Sequence, residues 1–192
     1  AATTLVSTVW LISTIPGKEK LEEAKATFGT TLSLFSDKYI TSLFLGILFI
    51  VGIDVGLNTT IPKLLMERTG MALSEAGLGT SLYFAARTIG SFAGAFLLAK
   101  LSASRFLKYS MFVAIVAFVL LLAVPDTWSM FVMIVIVGLA CANVFSIIFS
   151  FALQHKPERA NEISALMIMG VSGGALITPL MGIVADGFGQ VA

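Results

Sequence analysis

The sequence has one cysteine, Cys141, one histidine, His155, and few charges: Asp, Glu, Lys and Arg make up 12% of 192 residues, about half of the ~25% usual in soluble domains. A single cysteine excludes a disulfide framework within the chain, and with one histidine it leaves too few ligands for a Cys/His zinc site. Scarce charge excludes intrinsic disorder, a coiled coil and a nucleic-acid module, which all need charged residues to stay hydrated or to grip a partner. The net charge of +1 offers nothing to a polyanion. The sequence has no HExxH, no phosphate-cradling glycine loop and no serine or cysteine placed against His155, so it marks no catalytic residue, no metal and no cofactor. Apolar residues, in contrast, make up 57% of the chain and the mean hydropathy is +0.97. A soluble core cannot hide that much; the solvent is lipid.

The apolar runs divide into five spans, roughly 39–62, 77–99, 106–124, 129–153 and 162–185, each near the ~20 residues that a helix needs to cross a bilayer. The expected fold is therefore an all-α membrane protein, a polytopic helical bundle. Residues 1–15 open Ala1-Ala2-Thr3-Thr4 without an initiator methionine and read as the end of a preceding span. Residues 16–37 carry Lys18, Glu19, Lys20, Glu22, Glu23 and Lys25, with Leu21, Ala24, Phe28, Leu32 and Phe35 at helical spacing, and read as an amphipathic linker at the membrane surface. Residues 38–192 form the transmembrane helical domain. The turn sequence Asp186-Gly187-Phe188-Gly189 near its end leads to the expectation of a further element.

Short basic connections stay cytoplasmic. With the 16–37 linker inside, Lys18, Lys20, Lys25, Lys38, Lys100, Arg105, Lys108, Lys156 and Arg159 all fall inside, and Lys63 and Arg68 outside. Arg87 belongs to neither side: it sits within the second span, as Asp54 does within the first. An ionised group there costs at least ~2.5–3.5 kcal/mol, so something must compensate. Counted from Lys38 and Lys100 at ~1.5 Å per residue, the two lie at similar depths, about 24 and 20 Å, and an ion pair between antiparallel neighbours is feasible. Such a pair either locks two helices together or takes part in substrate or proton handling.

The third span, Phe112 to Val124, has no polar side chain and reads as a lipid-facing support. The others carry glycine pairs that let helices approach, Gly52/Gly56, Gly90/Gly94 and Gly170/Gly174, and polar stripes. In the first span Asp54, Asn58 and Pro62 follow at intervals of four, on a helix that a proline could break. In the fourth, Asn143, Ser146, Ser150 and Gln154 form a stripe beside Phe145 and Phe149. Amide and hydroxyl groups next to aromatic faces suit a ring bearing hydroxyls; hydrogen bonding between helices is the blander alternative. Asn58, Asn143, Phe145, Ser146, Phe149 and Ser150 are the candidate substrate residues, and Asp54 and Arg87 the candidate charge pair or coupling site.

The stretch Gly138-Leu-Ala-Cys-Ala-Asn143-Val-Phe145-Ser-Ile-Ile-Phe149, followed by Ala165 to Gly182 with Gly170, Gly174 and Pro179, resembles the C-terminal half of the fucose/glucose/galactose–proton symporters of the major facilitator superfamily. Gly52-Ile-Asp54-Val-Gly-Leu-Asn58 and Ala86-Arg87-Thr-Ile-Gly90 are similar to the same family. The resemblance covers residues 38 to 188. It implies twelve spans in two six-helix halves around a cavity, with the present five as the seventh to eleventh. The missing N-terminal six-helix half would then be a partner. The loop after the second span departs from the superfamily motif, having Lys100 and Arg105 but no aspartate, and Asp54 inherits no proton role from the resemblance. It also implies a multi-pass protein of a bacterial inner membrane that moves a monosaccharide with protons by alternating access, not an enzyme. A proton-coupled drug or metabolite antiporter of the same fold and a non-transporting membrane scaffold or receptor subunit are the alternatives.

Overall fold

A computed structural model of the protein describes residues 27–188, so the expected helix end at 1–15 and most of the 16–37 linker lie outside the described residues. Within them the structure is helical: α1 (Phe28–Leu32), a tight turn Ser33–Ser36, α2 (Lys38–Thr69), α3 (Leu73–Leu98), α4 (Ala103–Ala123), α5 (Thr127–Cys141), α6 (Val144–His155), a turn Pro157–Arg159, α7 (Ala160–Gly170) and α8 (Gly173–Phe188). Five stretches are long and apolar enough to cross a membrane: α2, α3, α4, Thr127–His155 and Pro157–Phe188. We call these the first to fifth spans.

Local chemistry sets their ends. Asp37 accepts from the Tyr39 and Ile40 N–H groups at 2.9 and 3.3 Å and starts the first span. Gly70, at φ 68°, stops it with an N–H to the Met66 carbonyl. Asp126 caps α5 through the Ser129 N–H at 3.0 Å. Arg68 crosses over to donate to the Leu122 carbonyl at 2.7 Å, closing the last turn of α4.

Pro62, where spacing showed that the helix could break, does not break the first span. A proline withholds the N–H owed to the carbonyl four residues back, here Asn58; the Thr80 hydroxyl of the second span donates to that carbonyl at 3.4 Å, and α2 runs on to Thr69. The interruptions fall instead at Ala142–Asn143 in the fourth span and at 171–172 in the fifth.

Two apolar cores stack along the bundle. One holds Leu57, Ile61, Leu65, Tyr83, Ala117, Leu121, Met130 and Ile134; the other holds Leu34, Ile40, Ile47, Ile148, Ala152, Ile163 and Leu166. Ile50 packs against both, and the 142–143 interruption separates Cys141 of the first from Val144 of the second. The third span buries only Ala114, Ala117 and Leu121, while Phe112, Ile115, Val116 and Val119 face outward, as a support helix in lipid requires. In the linker, Leu34 is buried, whereas Phe28, Leu32 and Phe35, expected on its apolar face, are exposed. The tight Ser33–Ser36 turn changes the helical period just where the spacing assumed it constant.

Glycines set how closely the spans meet. Gly52 faces Ile177, Gly56 faces Met181, Gly90 lies on the Leu139 backbone and Gly94 on the Asn143 amide. The tightest is Gly173, where a Cβ would strike the Leu48 carbonyl of the first span. Gly173→Ala therefore loses about 1–3 kcal/mol, the cost of overpacking, in detergent unfolding. Gly182→Ala, with nothing within 4 Å, matches the parent.

At the basic end, His155 is exposed yet engaged. It closes α6, lies tilted against the Tyr39 ring with centroids 4.6 Å apart and reaches Asp37 at 3.1 Å, beside Lys156 at 2.6 Å. The Lys156 ammonium foremost, against an opposing desolvation, and then the Ile40 N–H, His155 and the Tyr39 N–H hold the Asp37 carboxyl well below its usual range. A folded-state value below the unfolded one means stability present above about pH 4 and lost as pH falls further, toward the folded value. Melting curves between pH 7 and pH 3 should show that loss in the parent and a flatter profile in Asp37→Asn.

Candidate functional site

The junction of the two cores holds the intramembrane charges. Asp54 of the first span and Arg87 of the second form an ion pair, their side chains 19% and 27% exposed. The Tyr83 hydroxyl, one helical turn before Arg87, donates to the same Asp54 oxygen, Oδ1, at 2.5 Å. A small cleft of about 10 Å³, room for a single water, lies against the group, lined by Asp54, Tyr83 and Arg87 with Ile50, Cys141 of α5 and Phe145 of α6. Three spans thus converge on one carboxylate. The two apolar cores adjoin it on either side, while both charged side chains keep some exposure.

Of the residues marked from sequence, Asp54, Arg87 and Phe145 meet at this cleft. Asn143 does not line it. Asn143 is buried at the helix interruption and turned onto the second span, its Nδ2 donating to the Gly90 carbonyl at 2.8 Å beside Gly94. It stands at the N-cap of α6, ahead of Ser146 and Ser150, with its carbonyl accepting the Ile147 N–H at 3.0 Å. Ser146 is exposed, and Ser150 accepts from Gln154 at 2.8 Å. Phe149 follows Phe145 with ring centroids 5.8 Å apart, and Asn58 lies one turn beyond Asp54, half-buried. Tyr83 was missed. Its place four residues before Arg87, on the same helical face, was the available signal.

Chemically, the arrangement offers a carboxylate with two unlike donors, a guanidinium and a phenol, beside an aromatic ring and a water-sized space. Among the described residues no group of three or more His, Cys, Asp or Glu could hold a metal. Leaving either charge alone in the membrane is costly. Asp54→Ala and Arg87→Ala each lower stability by up to about 3–5 kcal/mol, reduced for the partial exposure, and the double substitution recovers part of the loss. Additive losses in that thermal-unfolding cycle would mean that the two charges serve separate partners.

The chain is 27% identical over 182 residues to a putative glucose/galactose transporter of Helicobacter pylori, covering 95% of this chain and 44% of that protein. It is 26% identical over 147 residues to a glucose/galactose transporter of Brucella abortus, covering 76% and 35%. The chain therefore spans less than half the length of the curated relatives it matches. Its fold is similar to about half of FucP: one crystal structure, of a Major Facilitator Superfamily transporter in the outward conformation, matches at TM-score 0.80 over 98% of this chain and 46% of that one, with 19% identity. A second, of the Escherichia coli fucose:proton symporter, matches at TM-score 0.83 over 98% and 48%, also with 19% identity. The family model for the Major Facilitator Superfamily matches residues 43–190, and with most of its length so matched the chain belongs to that superfamily.

Proposed function

We propose that this chain is one half of a bacterial inner-membrane symporter that moves a monosaccharide with protons by alternating access, its basic end and the 16–37 linker in the cytoplasm. The observation that carries the reading is the Asp54–Arg87 pair placed with Phe145 on a cleft where three spans meet. A helix bundle held together only by packing gains nothing from ions at that depth, whereas a transporter needs groups whose charge or partner changes during its cycle. The glucose/galactose transporters among the relatives and the fucose:proton symporter among the solved structures support the substrate class.

The partner is a preceding six-span half, which supplies the second wall of the cavity. The Phe145 ring stacks against the apolar face of the sugar, with Phe149 one turn further along. Ser146, Ser150 and Asn58 are the hydroxyl and amide partners on the same two spans. The Asn143 Nδ2 is already engaged by Gly90, so its contribution to the sugar is through the remaining amide oxygen or through the shape of the interruption.

Labelled galactose counterflow in proteoliposomes tests the reading. This chain alone gives no exchange above empty liposomes, because a cavity between two halves has one wall here; joined to its six-span half it exchanges galactose and glucose. In that protein Phe145→Ala weakens sugar affinity by up to roughly ten-fold, the loss of one aromatic contact worth ~0.5–1.5 kcal/mol. Counterflow by the chain alone, or Phe145→Ala exchanging like the parent, would remove the basis for the proposal.

A further inference from the structure

Asp54 has two donors that are not equivalent. Tyr83 is fully buried, and Gly138 of the fourth span lies directly on its carbonyl and ring, so close that a Cβ there would meet the Tyr83 carbonyl at 2.7 Å and the ring at 3.3 Å. The phenol is fixed. Arg87, four residues on, is 27% exposed and borders the cleft, so its long side chain has somewhere to go. The donors also differ in what they require of the acceptor. A guanidinium is rewarded chiefly by the anion, whereas a neutral O–H donates to a carboxylate and to the carbonyl oxygen of a carboxylic acid alike.

We infer that Tyr83 is the positioning residue that keeps Asp54 seated in the cleft when a proton replaces Arg87 as its partner. This rests on the proton-coupled reading above and assigns the coupling carboxyl of this half. In the step, hydronium delivers a proton to Asp54: one hydronium O–H bond breaks, an O–H bond forms on the carboxyl, and a neutral water is left. Arg87 keeps its charge, Tyr83 keeps its proton and goes on donating to Asp54. The cluster passes from net zero to +1, and the released guanidinium turns toward an acceptor on the Phe145 side of the cleft, where a sugar hydroxyl can supply one. The groups facing Asp54 at the cleft are Tyr83 and Arg87 from the second span and Cys141 from the fourth; no other titratable side chain lines it among the described residues. Packing alone does not call for the hydroxyl, since phenylalanine would fill the same space.

Difference infrared spectroscopy on the chain in lipid nanodiscs, acid minus neutral, reads the carboxyl directly. The parent should show a protonated-carboxyl band that Asp54→Asn abolishes. Tyr83→Phe moves the band to higher wavenumber, as an acid losing a donor must. 3-Fluorotyrosine at position 83, a stronger donor of nearly the same shape, moves it to lower wavenumber and covers the case in which Tyr83→Phe fails to fold. An Asp54 band at the same wavenumber in all three proteins, or no Asp54-dependent band across the pH range in which the chain stays folded, overturns the inference. Galactose counterflow, measured separately on the two-half protein, keeps the two ideas apart. Absent counterflow with the expected band shifts removes the sugar reading and leaves Tyr83 in its role, while normal counterflow with an unmoved band does the reverse.

Discussion

Lipid offers no hydrogen bonds, so every backbone group and charge that departs from regular helix must find its partner inside the protein. The spans can be read as a series of answers to that constraint. Pro62 frees the Asn58 carbonyl, and Thr80 takes it. The fourth span breaks at Asn143, and the same residue's amide is spent on the Gly90 carbonyl of its neighbour. Where α4 runs out of partners, Arg68 arrives at Leu122. Each repair ties one helix to another, so irregularities that would weaken an isolated helix fix the arrangement of the bundle.

The same rule gives the Asp54 cluster its character. A carboxylate, a guanidinium and a phenol lie where the two apolar cores adjoin, and the interruption of the fourth span falls at that junction as well. The Asp54–Arg87 ion pair and the break in the fourth span thus share one level, with an apolar core on either side. Those cores are rigid because they are dense.

The five spans and the outward-facing third one were legible in the sequence because hydropathy is a sum over many residues and survives local error. The Asp54–Arg87 pair was legible because both charges are anomalies and their depths can be counted. Continuity was harder. Spacing marked Pro62 as a place where the helix could break and gave a stripe from Asn143 to Gln154; Thr80 on another helix takes up the carbonyl that Pro62 frees, and the Asn143 amide goes to Gly90 on a neighbouring helix. Tyr83 escaped notice for a related reason: a tyrosine among apolar residues is ordinary until the carboxylate opposite it is known. Leu34 was hidden by a change of helical period over four residues.

The basic end adds a mechanical property. Arg159, at the start of the fifth span, donates to the Thr30 carbonyl at 2.6 Å and the Ser33 hydroxyl at 3.1 Å, while Asp37 just downstream is gripped by His155 and Lys156, and Leu34 between them is buried in the second core. The last residues before the first span are therefore riveted to the far side of the bundle as well as to the helix that they lead into. A pull applied along residues 27–37 is shared by the first, fourth and fifth spans, and the load arrives as a torque on a stiff body instead of a local unwinding at Asp37.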